Sequence, residues 1–312
     1  MIPRISVLVI CYRQEDVIRR AIDSLLSQKE YIYEICVSDD CSPDRTWEIL
    51  QEYDKDNPGL FKLHRNAHNV GIFENVEYTW TMPEGDLIYH LSGDDECGEG
   101  FFKAVLDCVE DNKIDYKNDL FCIYGDYLQL FPNGERILYK QKVAKKNLNS
   151  LSLKLRGLLS NRGACYSSNI LKKFKKVSEG RSYVAESVQD CQLAIYTEKT
   201  YYVPVVGNIY YAAVGVSVSD SKEIEDIKKE RSQRLFEFIE KENITIDLKT
   251  LEFIKFKKYL KLFSCTKSLK NLLISFFYFL KSIDFKLGVD GLFVNEYRAI
   301  KKRRKIMQQE AN

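Results

Sequence analysis

Asp94, Asp95 and Glu96 stand side by side after the apolar run Leu87–Leu91, in the stretch LIYHLSGDDECGEG. Adjacent carboxylates at the end of a buried strand repel one another and lose hydration, a cost that a cation among them offsets. A divalent metal carrying a nucleotide diphosphate is one such cation, and a solvated acidic turn is the plain alternative. Other chemistry-bearing residues stand at equivalent places. Tyr12 follows ISVLVIC, Asp39 and Asp40 follow YEICVS, and Asn69 to Gly71 follow FKLHRN. Carboxylates so placed suit phosphates held through a metal instead of a glycine-rich cradle.

The elements that would position these residues alternate. Continuous apolar runs predict strands over 5–12, 33–40, 61–66 and 86–92, and helical periods predict helices over 15–28, 44–56, 71–83 and 101–112. Such alternation implies right-handed crossovers and a mostly parallel sheet, with function gathered beyond the carboxyl ends of the strands. Residues 120–137 read as strand, Pro-Asn-Gly turn and returning strand, and 144–180 as helical and basic, interrupted by SNRGACYSS. A helix over 184–199, edge strands over 200–214 and a helical tail from about 219 complete the pattern.

Several chemistries lack their motifs. GxGxxG is missing after the first strand, and GxxxxGK[ST], HExxH and GxSxG are missing throughout, with histidine only at 64, 68 and 90. The 312 residues, 45% hydrophobic, are enough for one large domain and an appendage. The net charge of +2 hides a division, since acids cluster early while KKYLK and KKRRK fall in the last third. Nine scattered cysteines form no CxxC pair and read as small buried hydrophobes. That odd count, with no secretory pattern, leads to the expectation of a reducing, cytoplasmic setting.

ISVLVICYRQEDVIRRAIDSLLSQ, then YEICVSDDCSPDRTWEIL, then NAHNVGIFENVEYTWTMPEGDLIYHLSGDDE resemble, in order, the opening blocks of family 2 glycosyltransferases. The resemblance implies the GT-A fold, a Rossmann-like mixed and mostly parallel α/β sheet flanked by helices. It implies a catalytic domain over 1–218, with a nucleotide-binding half at 1–100 and an acceptor half at 101–218, followed by a helical, basic region at 219–312. It further implies an inverting transferase that takes a sugar from a UDP-sugar to a saccharide or lipid-linked acceptor in bacterial surface polysaccharide assembly.

The same resemblance distributes roles. Tyr12 would flank the nucleobase and Asp40 accept from uracil N3–H, while Asn69 and Gly71 belong to the donor site. Asp39 would bind the donor or orient its loop. For an isolated pair of aspartates before a helix, capping is the default, and Ser42 and Asp44 are the better caps here. Asp94 would contact the ribose or share a Mn²⁺ or Mg²⁺ ion whose main ligand is Asp95. Ser92 replaces an acid common in relatives, which leaves fewer ligands. Asp190 in AESVQDCQLAIY would be the base, with Glu186 as alternative or as acceptor contact, although both also suit the N-terminal half of a helix. Arg162 would bind an acceptor phosphate or carboxylate, or be a solvated surface group. YYAAVGVSVS departs from the family in lacking an arginine before its loop.

Residues 268–293 hold the most apolar run, far short of a bilayer span and flanked by lysines. The segment 268–305 therefore fits an interfacial helix on an anionic membrane surface, and equally a helix packing Leu272, Leu273, Phe276, Phe277 and Leu280 on the catalytic domain or on a second copy. A homo-oligomer stays open, and nothing marks a nucleic-acid partner. The rival readings are a nucleotidyltransferase that makes nucleotide sugars, for which CYRQEDVIRR lacks glycines, and an inactive saccharide-binding protein of the same fold.

Overall fold

The computed structural model describes residues 2–141, 161–176, 185–212, 238–266 and 268–282. Its first strand, β1 (Ile5–Cys11), is buried at every position but Ile10, as a continuous apolar run requires when both faces are covered. Val7 and Val9 enter one core cluster and Leu8 enters another, so the pleat feeds both faces of the sheet. On the first face lies α1 (Ile18–Leu26), which buries Ile18, Ala21, Ile22 and Leu25 at helical spacing.

β2 (Ile32–Asp39), β3 (Phe61–Arg65) and β4 (Leu87–Ser92) complete the parallel half, with α2 (Thr46–Asp56) and α3 (Ile72–Thr79) in the crossovers. α4 (Phe101–Asp111) leads to β5 (Phe121–Leu130), β6 (Arg136–Tyr139) and β7 (Ala164–Ser167). A one-turn α5 (Ser168–Leu171), α6 (Ala185–Tyr196) and β8 (Lys199–Tyr211) follow. The strand order is β3-β2-β1-β4-β7-β5-β6, with β8 paired to β5. β1 pairs in parallel with both β2 and β4, whereas β7 runs antiparallel between β4 and β5. Strand order reverses between β1 and β4, and Ile10 lies opposite Ser38 on one side and Ser92 on the other. A crevice at such a reversal is where open α/β sheets bind ligands.

Three differences from the sequence expectation have physical causes. The first helix starts three residues later than expected because its approach is bonded to the loop after β2. Arg13 N–H donates to Ser42 Oγ (3.0 Å), Gln14 N–H to Thr46 Oγ1 (2.8 Å) and Glu15 N–H to Asp44 Oδ2 (3.2 Å). SNRGACYSS, read as an interruption between helices, contains the interior strand β7; its four residues are all buried and give no periodicity. The edge strands expected over 200–214 are one strand of 13 residues. It follows β5 from Phe121 opposite Lys199 to Leu130 opposite Tyr211, with irregular register near Asp126.

The boundary expected at 218/219 lies outside the described residues. Beyond it, α7 (Leu248–Thr266) packs Ile254, with Phe238 and Ile239, on Val188 and Cys191 of α6. α8 (Leu269–Ser282) folds back on α7 through Phe253, Phe256 and Leu260 against Leu272, Tyr278 and Phe279. Leu269, Leu273, Phe276, Phe277 and Leu280 remain 45–67% exposed along α8. Of the residues named for packing on the catalytic domain or a second copy, Leu272 lies against α7. No described helix is long and apolar enough to cross a membrane.

Candidate active site

The ends of β1 and β2 meet in one bonded loop system. Tyr12 is 38% exposed just past β1. Arg13 and Cys41, each two residues beyond the end of its strand, both have positive φ (54° and 57°), a conformation that costs energy in residues other than glycine and recurs at functional sites. Asp39 underlies both. Its carboxylate accepts Ser42 N–H (3.0 Å) and the Ser42 hydroxyl, and pairs with Arg65 Nε (3.3 Å). Asp39 is fully buried, and these contacts all orient the loop.

Asp40 organises the next turn. Its Oδ1 accepts from Asn66 Nδ2 (2.9 Å) and Val70 N–H (2.8 Å), and its Oδ2 from Gly71 N–H (2.9 Å). Asn69 Nδ2 reaches the Asp40 carbonyl at 3.4 Å. Gly71 stands at φ 89°, where a Cβ would be strained, and its N–H meets Asp40 as α3 begins. Three of the carboxylate's roughly four acceptor positions are filled in this way, and Asp40 is 2% exposed. Capping of α2 falls to Asp44, whose Oδ1 accepts Thr46 N–H (3.1 Å) at the start of that helix.

The acidic turn closes the crevice from β4. Gly93 N–H donates to Ile10 O (3.0 Å) and Asp95 N–H to Ser92 O (3.0 Å), which sets Asp94 beside the end of β1. Asp94 is half-buried, and burial raises its carboxyl above the usual range against the opposing pull of Arg162 and Arg20. Asp95 is 2% exposed. Its Oδ2 pairs with Arg162 Nη1 (3.1 Å) and its Oδ1 accepts Tyr211 N–H (3.3 Å). Burial pushes Asp95 up to about 7, helped by Asp94 and opposed by Arg162, Tyr211 N–H and the Asn208 side chain.

Glu96 anchors the turn to β8 and α1. Its backbone bridges Ile209 of β8, and its side chain accepts the Tyr211 hydroxyl (2.5 Å) and pairs with Arg20 Nε (3.2 Å). Arg20 also donates to the Asp94 carbonyl (2.6 Å) and lies 3.5 Å from the Tyr211 ring centre, while Arg162 lies 3.8 Å from the Tyr210 ring centre. Two neighbouring tyrosines thus each carry an arginine paired to one acid of the turn. Sequence reasoning misses Arg20, Asn208, Tyr210 and Tyr211. Arg20 reads as one more charge on the polar face of α1 until β8 arrives beside it, and YYAAV stands out only for its missing arginine.

The turn at 161–163 faces the other acid. Asn161 Nδ2 donates to Asp190 Oδ1, and Asp190 lies exposed on α6. Arg162, read from the sequence as an acceptor contact or a solvated surface group, pairs with Asp95. Gly163 has φ +68°, and a Cβ there would stand 3.0 Å from Gly207 Cα, so the turn seats directly on β8. Glu186 lies one helical turn before Asp190, with its side chain outside the described residues. Asp40 N–H donates to Cys11 O and Gly93 N–H to Ile10 O, which sets the Asp40 and Asp94 turns on either side of the end of β1 that leads to Tyr12, and Asn161 and Arg162 join Asp190 and Asp95 to a single turn.

Among the described residues no group of three acid, histidine or cysteine side chains is disposed to hold a metal. Asp94 and Asp95 nevertheless supply adjacent hard oxygens, the donor chemistry that suits Mg²⁺ or Mn²⁺. Asp94 is the more exposed of the two, and Asp95 is paired with Arg162.

The model of the family described as glycosyl transferase family 2 matches residues 6–159. An uncharacterized glycosyltransferase, EpsJ of Bacillus subtilis, is 31% identical over 121 residues, 37% of this chain and 33% of EpsJ. The poly(ribitol-phosphate) beta-glucosyltransferase of Bacillus spizizenii is 23% identical over 277 residues, 80% of this chain and 43% of that protein. The chain thus spans between a third and under half of the length of these relatives. The crystal structure of S. aureus TarS 1-349 in complex with UDP-GlcNAc matches with a TM-score of 0.57 over 99% of this chain and 91% of that one. At 14% identity that likeness speaks to the fold, which is GT-A. The motif blocks, the strand order and the family match over residues 6–159 agree on a family 2 glycosyltransferase.

Proposed function

We propose that the protein is an inverting glycosyltransferase that moves a sugar from a UDP-sugar to a saccharide or lipid-linked acceptor in surface polysaccharide assembly. The observation that carries the reading is the Asp94–Asp95 turn at the strand-order reversal, facing exposed Tyr12 and the Asp40 turn. The UDP-GlcNAc in the TarS complex supports a uridine donor, and the relative named for poly(ribitol-phosphate) supports a polymeric acceptor.

Tyr12 flanks the base, and the remaining acceptor position of Asp40 takes its N–H. Asp94 and Asp95 would hold Mn²⁺ or Mg²⁺, which supplies charge neutralisation on the departing diphosphate. Asp190 accepts the proton of the acceptor hydroxyl as that oxygen attacks the anomeric carbon, and the nucleoside diphosphate leaves from the opposite face. Incubation with a panel of UDP-sugars and saccharide acceptors, reading UDP release, tests the assignment. Asp190→Asn should lower turnover by ~10²–10⁴-fold while UDP still binds, since a positioned base supplies that factor. Full turnover in the variant removes Asp190 from the role.

The exposed apolar face of α8 supports peripheral attachment to an anionic membrane. Lys270 and Lys281 lie exposed on the same helix, and Lys281 Nζ sits 4.5 Å from the Phe277 ring centre. Apolar side chains bordered by lysine are what an interfacial helix presents to anionic headgroups. The cytoplasmic face of the cell membrane is the location this implies.

A further inference from the structure

Two acids with separate proposed duties are held by neighbouring residues of one turn. Arg162 Nη1 lies 3.1 Å from Asp95 Oδ2, and the guanidinium packs 3.8 Å from the Tyr210 ring centre. Asn161, one residue earlier, donates to Asp190. Gly163, one residue later, is seated on Gly207 at a distance a side chain would not tolerate, which makes it the fixed end of the turn. Arg162 therefore serves as the counter-charge of Asp95 in the place a cation would take. A guanidinium also binds phosphate oxygens well, so the charged end of a donor draws on both members of this ion pair.

Resting on the nucleotide-sugar reading, we infer that the 161–163 turn couples the two acids: separating Arg162 from Asp95 as donor and cation bind also withdraws Asn161 from Asp190. Before the donor arrives Asn161 holds the Asp190 carboxylate, and donor binding releases that contact. Donor binding must in consequence break the Asn161–Asp190 contact, so removing that contact should tighten donor binding. A turn that only stabilised the fold would give the opposite sign, or no change.

Calorimetric titration of UDP with Mn²⁺ into the full chain tests this. Asn161→Ala should bind a few-fold to tenfold more tightly than the unaltered chain. Asp190→Ala, which deletes the same contact from the other side, should gain a similar factor, and the double variant no more than either alone. Unchanged or weaker binding in both single variants, with thermal unfolding showing them folded, overturns the coupling. Full additivity in the double variant overturns it as well. If the unaltered chain binds no UDP with Mn²⁺, the nucleotide reading falls, and the coupling falls with it.

Discussion

Replacing Asp95 by asparagine should stabilise this protein at alkaline pH, although it removes half of an ion pair. Burial holds the Asp95 carboxyl at about 7, against an ordinary 3.8, even with Arg162 beside it. One pKa unit corresponds to ~1.4 kcal/mol, so keeping Asp95 ionised above neutral pH costs the folded state on the order of 4 kcal/mol. The direction follows from proton counting. Between roughly pH 4 and 7 the unfolded carboxyl is ionised while the folded one retains its proton, so the folded state binds more protons and stability falls as pH rises through that window. Asparagine keeps an acceptor for Tyr211 N–H and carries no charge. Urea unfolding of Asp95→Asn should therefore show a gain of about 2–4 kcal/mol at pH 8, shrinking toward zero near pH 4.5. A variant less stable at pH 8, or a difference that ignores pH, would refute the reasoning and show that the Arg162 pair outweighs desolvation.

Asp40→Ala should cost stability and donor affinity together, because Val70 and Gly71 N–H lose their acceptor. An unsatisfied buried donor costs about 1–3 kcal/mol, so urea unfolding should show a loss of about 2–4 kcal/mol, and UDP titration should weaken in parallel. Serine at Leu273, Phe276 and Phe277 together should leave the melting temperature nearly unchanged, since these side chains are about half exposed or more. The same triple variant should stop sedimenting with anionic vesicles, whereas binding of the unaltered chain should fall with salt. A triple variant that still sediments would move the contact elsewhere.

The parallel half of the fold was legible because each strand there is an uninterrupted apolar run and each helix a clean period, as β1 and α1 illustrate. The acids at the strand ends were legible for the same reason, since the end of a run marks the carboxyl edge of the sheet. β7 was not: four buried residues between helical segments carry no periodicity, and only β4 and β5 define their place. The partners of the acids were hidden by sequence distance. Arg20 and Tyr211 meet across the whole catalytic region, and Arg162 could be read as an acceptor contact because nothing local tied it to Asp95. The segment of α8 stood out as the most apolar run, but which of its residues face α7 is not written in that run. Leu272 turns inward and Leu273 outward.

Hydrogen–deuterium exchange of the full chain with and without UDP and Mn²⁺ tests the central claim, that the donor binds where the strand order reverses between β1 and β4. Protection should appear in peptides covering residues 10–14, 38–42, 66–72 and 92–98, the strand ends and turns that surround Tyr12, Asp40 and Asp94. The crevice at the opposite end of the sheet, lined by Arg4, Trp80 and Lys172, should exchange as before. Protection confined to that opposite end, or none anywhere under saturating UDP, would contradict the account.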